Sequence, residues 1–379
     1  MLYTKCKGKE NTNNNIHKKG WLTVKQNNRL SFADQDIYVG IDTGKKSWSV
    51  TILTEHLEHK TFNQPPEPDV LLRYLHKHFP EAHYLCAYEA GYFGFWIYEY
   101  LMDHGVDCMV VHAADIPTKD KERRNRNDRV DSRKLARSLR NGELTPLYVP
   151  SRQSQEDRSL VRTRLEMVCK QTRCKNQIKS FLSFYGIKTP ERFIKSHWSN
   201  GYISYLEDLE FDNESAKHAL SALLSELRHL RQSICDLTRS IRHLAHQEPY
   251  SKIVPCLESV PGVGIVTAMV FATEIVDIER FKNLDHLASY VGLIPGEDSS
   301  GDQEKHTGIS RRRNRNLRYL LIESSWTAVR KDPALLMSFN KLAKRMPKNQ
   351  AIIRIARKLL ARIRFVMKNQ ENYEPCVVS

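Results

Sequence analysis

Residues 37–44 read IYVGIDTG and residues 48–54 read WSVTILT, with Lys45, Lys46 and Ser47 between them. Both runs are rich in β-branched and aromatic residues, and the Gly-Lys-Lys stretch that separates them is turn chemistry, so the pair predicts a β-hairpin. Asp42 falls at the end of its first strand. Working outward, a third extended run lies near Lys60–Phe62 and a helical stretch covers Val70–His78. A strand HYLCAYE (83–89), a helix-compatible segment FGFWIYEYLMDHG (93–105) and a strand DCMVVH (107–112) follow. This is mixed α/β architecture.

The 379 residues around this region exceed one ordinary core, so two or three domains are expected. The expected organisation is an arm over 1–35, an α/β domain over 36–150, a helical coiled-coil region over 151–250 and a mainly α domain over 251–379. The arm is rich in Asn, Lys and Gly without apolar periodicity. In the middle region Leu220, Leu223, Leu227, Leu230, Ile234, Leu237, Ile241 and Leu244 alternate steps of three and four, a heptad seam. Its partner is either the preceding helix of the same chain or a second subunit.

Composition narrows the function. Lys and Arg number 59 against 44 Asp and Glu, a formal charge of +15, which favours a polyanionic partner through phosphate neutralisation. A basic surface that only solubilises the chain carries the same charge. The eight cysteines include no Cys-x-x-Cys pair, so reduced, mostly structural thiols are expected rather than a zinc site. The opening MLYTKCKGKENTNNN lacks an apolar signal core, and the longest apolar stretch, around Val263–Val276, is too short to span a bilayer. A cytoplasmic protein without membrane association is the expectation.

Four acids stand out. Asp42 and Glu89 each end an apolar strand, where a rigid scaffold holds a carboxylate open to solvent. Asp128 and Asp131 sit three apart at the start of DRVDSRKLARSL (128–139), so both project from one helix face. Together they form an oxygen-donor set suited to Mg²⁺ or Mn²⁺, and a few carboxylates plus substrate phosphates suffice for such ions. The competing reading makes Asp128 or Asp131 a helix cap and the other two turn acids. The surrounding run KDKERRNRNDRVDSRK (119–134) supplies cations for a nucleic-acid backbone.

Two further constellations lie near the C-terminus. SVPGVGIVTA (259–268) sets Gly262 and Gly264 before a helix whose amides could receive a phosphate, as in helix-hairpin-helix DNA binders; a tight helix-helix turn is the alternative. GLIPGEDSSGDQEKHTGISRRRNRNLRYL (292–320) reads as a polar loop carrying Ser299 and Ser300, followed by Arg311, Arg312, Arg313, Arg315 and Arg318. Arginines stabilise phosphoryl charge but do not activate a hydroxyl, and serines in such loops usually satisfy turn backbone.

Taken together, YVGIDTGKKSWSV, AYEAGYFG, RNDRVDSRKLA, LESVPGVGIVTA and YVGLIPGEDSSG resemble, in order and spacing, the DEDD transposases of the 110 family of insertion sequences, over roughly residues 36–365. The resemblance implies a ribonuclease-H-like, RuvC-type N-terminal domain with Asp42, Glu89, Asp128 and Asp131 as metal ligands. It selects Ser300, five residues after Pro295 and before Gly301, as nucleophile, with Ser299 the other candidate. It further implies DNA as substrate, a noncoding guide RNA from the element, homodimers and homotetramers, a nucleoid-associated location, and strand exchange through a phosphoserine link. Ser132 stands where the family commonly has Ala, and the N-terminal arm is longer than usual. Two rival functions remain at this point: a junction-specific endonuclease using the acids and water alone, and a non-catalytic nucleic-acid-binding protein.

Overall fold

The computed structural model describes residues 32–117, 127–300, 303–309 and 313–375, and over 295–300 and 303–308 it describes the backbone alone. The chain divides into two compact units, 1–149 and 150–379.

The first unit is a five-stranded sheet in the order β3-β2-β1-β4-β5. β1 (Asp36–Thr43), β2 (Trp48–Leu53) and β3 (Glu58–Gln64) form an antiparallel meander, and β4 (His83–Glu89) and β5 (Asp107–Val111) join β1 in parallel. Between the parallel strands run α1 (Pro68–His78) and α2 (Trp96–Asp103), and α3 (Asp128–Arg140) follows. The strand period of two separates two faces. Ile37, Val39, Ile41, Val50, Ile52, Cys86 and Tyr88 pack with Leu71, Leu75, Ile97 and Leu101 into one buried core. The opposite face is built from small residues. Gly40 pairs with Thr51 and Ala87, and Asp42 pairs with Ser49, so all lie on that second face, together with Glu89, two residues beyond Ala87.

That shallow face receives α3. A Cβ on Gly40 would stand 2.1 Å from the Ser132 carbonyl oxygen and 2.4 Å from the Ala136 nitrogen, so the helix backbone rests directly on β1. Ser132 is fully buried there, its hydroxyl 2.9 Å from Thr51 Oγ1 and 3.2 Å from Ser49 Oγ. The buried Ser132 hydroxyl is therefore hydrogen-bonded, as a buried hydroxyl needs to be.

The second unit begins with α4 (Arg152–Phe184), which runs through α5 (Asn200–Glu207) to α6 (Glu214–Ala245). Arg164 Nε donates to Thr238 Oγ1 and Cys174 Sγ donates to the Leu223 carbonyl, so α4 and α6 pair antiparallel in one chain. The heptad seam thus finds its partner in the preceding helix. At one end Val161, Ile241 and Ala245 enter the C-terminal core, and at the other Ile178, Leu182, Leu220 and Leu224 form a separate one. The remaining helices are α7 (Ile253–Glu258), α8 (Ile265–Ile275), α9 (Leu284–Val291), α10 (Arg315–Lys331), α11 (Pro333–Ala343) and α12 (Lys348–Asn369), packed around one apolar core. Between α9 and α10 lie β6 (Pro295–Ser300) and β7 (Gln303–Ile309). No helix among the described residues is long and apolar enough to cross a membrane.

Candidate active site

The sheet and α3 bring Glu89, Asp128 and Asp131 within electrostatic reach of Asp42. Asp42 and Glu89 end adjacent parallel strands on the same face, and α3 lies across that face with Asp128 and Asp131 in its first turn. Capping of this helix falls to Asn127, whose Oδ1 accepts the Val130 N–H at 3.0 Å. The two aspartates are therefore not needed as caps. Lys134 Nζ lies 3.1 Å from Asp131 Oδ1, its side chain nearly buried.

Electrostatics follow from this crowding. Burial first, and then the charges of Asp128, Asp131 and Glu89, push the Asp42 carboxyl from its ordinary 3.8 up to about 6, against the opposing pull of Lys134. Among the described residues no three such side chains stand close enough to share an ion as they are. The donor set nevertheless fits one. It is made only of hard carboxylate oxygens, it is short of positive charge, and a divalent cation would relieve the repulsion felt by Asp42. At the same end of the sheet Tyr92 and Trp96 are exposed; the Lys45 ammonium lies 5.1 Å from the Tyr92 ring centre, and Trp96 sits against Trp48 of the opposite, apolar face.

In the second unit, the segment expected as a polar loop is an antiparallel hairpin. Ser299 pairs with Glu304 and Ser300 with Gln303, at the end where the two strands meet. Neither strand alternates apolar and polar residues, which hid them; the Gly301-Asp302 pair, a two-residue turn signal, was the available clue. Arg313 and Arg315 are exposed and Arg318 is half-buried at the start of α10, whereas Arg311 and Arg312 lie outside the described residues. Gly262 adopts φ +88°, and a Cβ there would meet the Ser324 carbonyl oxygen at 2.3 Å, so close packing on α10 already requires glycine. Gly264 is the exposed N-cap of α8. Most of the basic run before Asp128, residues 119–126, is likewise outside the described residues.

A model of the transposase IS116/IS110/IS902 family matches residues 254–339, and a DEDD transposase model of the IS110 type matches residues 39–187. A putative transposase of Sinorhizobium fredii is 30% identical over 300 residues, covering 77% of this chain and 72% of that protein. The chain belongs to the IS110-type transposase family. Similar too are the transposase for insertion sequence element IS1111A of Coxiella burnetii, 26% identical over 73% of this chain and 75% of that protein, and that for element IS1533 of Leptospira borgpetersenii, 25% identical over 65% and 72%.

The transposase is thus a DNA-processing enzyme of an insertion sequence, and its DEDD kinship suggests a divalent metal requirement. Sequence reasoning missed three contributors to the acidic site: Gly40, Ser132 with its hydroxyl partners, and Lys134. Gly40 lies two residues before Asp42 inside a strand, where an unexplained glycine signals close backbone approach. Lys134 follows Asp131 by one helical turn, on the same face.

Proposed function

We propose that this transposase is an RNA-guided recombinase that excises and inserts its own element, using Asp42, Glu89, Asp128 and Asp131 to hold Mg²⁺ and Ser300 as nucleophile. The observation that carries the metal-dependent half is the convergence of four acids on one sheet face, with the Asp42 carboxyl pushed up to about 6 by burial and by the other three. The strand order β3-β2-β1-β4-β5, with an antiparallel meander followed by two parallel strands, supports a ribonuclease-H-like, RuvC-type domain.

In this reading, a bound divalent ion supplies charge stabilisation at the phosphate under attack. The rest falls to the chain. Strand-borne Asp42 and Glu89 give a fixed floor, α3 brings Asp128 and Asp131 over it, and Lys134 holds Asp131 in place. The exposed ring of Tyr92, three residues after Glu89, offers a stacking surface for a base of an unpaired strand.

The Ser300 hydroxyl oxygen forms a bond to phosphorus as the phosphorus–oxygen bond to one DNA sugar breaks; its proton leaves to solvent or a base, and the departing sugar oxygen takes one up. A hydroxyl of the incoming strand then reverses the exchange, which conserves the phosphodiester and requires no ATP. Arg311, Arg312, Arg313, Arg315 and Arg318, with the amides at Gly262 and Gly264, contact phosphates. The net charge of +15 suits binding both DNA and a guide RNA from the element, and the assembly is a homodimer or homotetramer at the nucleoid.

Water-mediated cleavage by the acids alone is the second reading, favoured by the fact that the whole quartet lies within one unit, without Ser300. The test is cleavage of element-end DNA, with the element's RNA, in Mg²⁺. Asp42→Asn, Glu89→Gln, Asp128→Asn and Asp131→Asn each lose at least about a hundredfold in rate while DNA binding persists. Full activity in any two of them overturns the ligand assignment.

A further inference from the structure

A buried carboxylate outside the acidic site ties three parts of the second unit together. Glu274, in the last turn of α8, is 1% exposed. Arg162 of α4 grips it with both ends of its fork, Nε donating to Oε1 at 2.6 Å and Nη2 to Oε2 at 2.8 Å. Arg158, one turn earlier, donates from Nε to the neighbouring Thr273 carbonyl at 2.9 Å.

Glu274 also holds both ends of the segment that carries the β6–β7 hairpin, the exit through its carboxylate and the entry through its backbone carbonyl. At the exit, Asn314 Nδ2 donates to Glu274 Oε2 at 2.8 Å, and the Asn314 N–H donates to the Tyr290 carbonyl at 2.9 Å. At the entry, the Tyr290 hydroxyl donates to the Glu274 carbonyl at 3.2 Å. Asn314 also caps α10, its Oδ1 accepting the Leu317 N–H at 3.1 Å. Burial raises the Glu274 carboxyl, but the hydrogen bonds and charge of Arg162, then Asn314 and Arg158, outweigh it and hold it below the usual carboxylate range.

We propose that Glu274 is a positioning residue for strand transfer: through Asn314 and Tyr290 it fixes the base of the segment bearing Ser300, and through Arg162 it locks that base to the long arm helix α4. The proposal rests on the reading of Ser300 as nucleophile. An ion pair that merely seats α4 on the helical bundle would need Arg162 and Glu274 only. Here one residue, through its carboxylate to Asn314 and its backbone carbonyl to Tyr290, closes the neck of a segment more than twenty residues long, and the reacting hydroxyl at its far end has to be held to a fraction of an ångström. The arm helix and the base of the segment are therefore joined through one residue.

Asn314→Ser separates positioning from folding, because serine still caps α10 and leaves the Arg162–Glu274 pair intact, yet cannot reach the carboxylate. Single-turnover formation of the protein–DNA adduct is measured on full-length protein with the element's RNA, saturating DNA and Mg²⁺, beside DNA affinity and melting temperature. Asn314→Ser slows the adduct about tenfold or more, with affinity within about twofold and melting within a few degrees. Asn314→Asp, which sets two carboxylates against each other, is slower still. Glu274→Gln/Asn314→Asp, which exchanges amide and acid, recovers about tenfold over Asn314→Asp.

A wild-type rate in Asn314→Ser, or no recovery in the exchanged pair, overturns the positioning role. Ser300→Ala run alongside distinguishes the two failures. Joining that survives without Ser300 removes the serine reading and the proposal with it, whereas joining that needs Ser300 but ignores Asn314→Ser removes the positioning role alone.

Discussion

Asp42→Asn stabilises the metal-free protein at neutral pH. In the native state the Asp42 carboxyl titrates at about 6 instead of 3.8, a difference of roughly 2 units, because burial and three neighbouring carboxylates oppose its charge. At ~1.4 kcal/mol per unit the ceiling is about 3 kcal/mol of native-state destabilisation. Asp42 is only partly buried, so solvent screening reduces this to about 1–1.5 kcal/mol. The sign follows from proton counting. Between pH 3.8 and about 6 the native state holds a proton that the unfolded state has released, so stability falls as pH rises through that window and stays low above it.

The assay is thermal unfolding of wild type and Asp42→Asn in EDTA at pH 5 and pH 8, with hydrogen exchange of the β1 and α3 peptides locating the effect. At pH 8 the variant melts roughly 3–8 °C higher in the transition that exposes those peptides, and the gap narrows at pH 5. Mg²⁺ then raises wild type and leaves Asp42→Asn nearly unmoved, by linkage. A variant that melts at or below wild type at pH 8 in EDTA refutes the electrostatic account of the site.

Other consequences are equally concrete. Gly40→Ala drives a methyl into the α3 backbone and costs about 3 kcal/mol or more, read as lost melting temperature together with lost Mg²⁺ stabilisation. Ser132→Ala removes a buried hydroxyl from Thr51 and Ser49 and costs about 1–2 kcal/mol in denaturant unfolding, while metal-dependent cleavage stays within a few fold of wild type. Glu274, held below the usual carboxylate range, contributes stability present above pH 4.5 and lost as the pH falls through its lower native value. Glu274→Gln therefore flattens the acid limb of a melting-temperature profile between pH 5 and pH 3.

Legibility from sequence depended on how local each signal was. Asp42 and Glu89 stood out because the apolar period of two ends on them, and Asp128 and Asp131 because a helix start is visible in the text. What a strand's second face rests against is not written in the strand itself, so Gly40 gained its meaning only with α3 lying on it. The heptad seam was plain, but its partner was not, since same-chain and intersubunit coils share one pattern. The β6–β7 hairpin passed for a loop because neither strand alternates apolar and polar residues. The Glu274 cluster was invisible for a different reason. Its partners Arg162 and Asn314 lie 112 and 40 residues away along the chain, and no periodicity links them.

The account's central claim, serine-mediated strand exchange supported by the acidic quartet, is tested most directly by trapping the intermediate. Purified transposase is given the element's RNA, matched donor and target DNA and Mg²⁺, and the products are resolved under denaturing conditions. The account predicts a covalent protein–DNA adduct that Ser300→Ala abolishes, Ser299→Ala retains and Asp131→Asn suppresses. Cleaved DNA without an adduct, or an adduct that persists in Ser300→Ala, contradicts it.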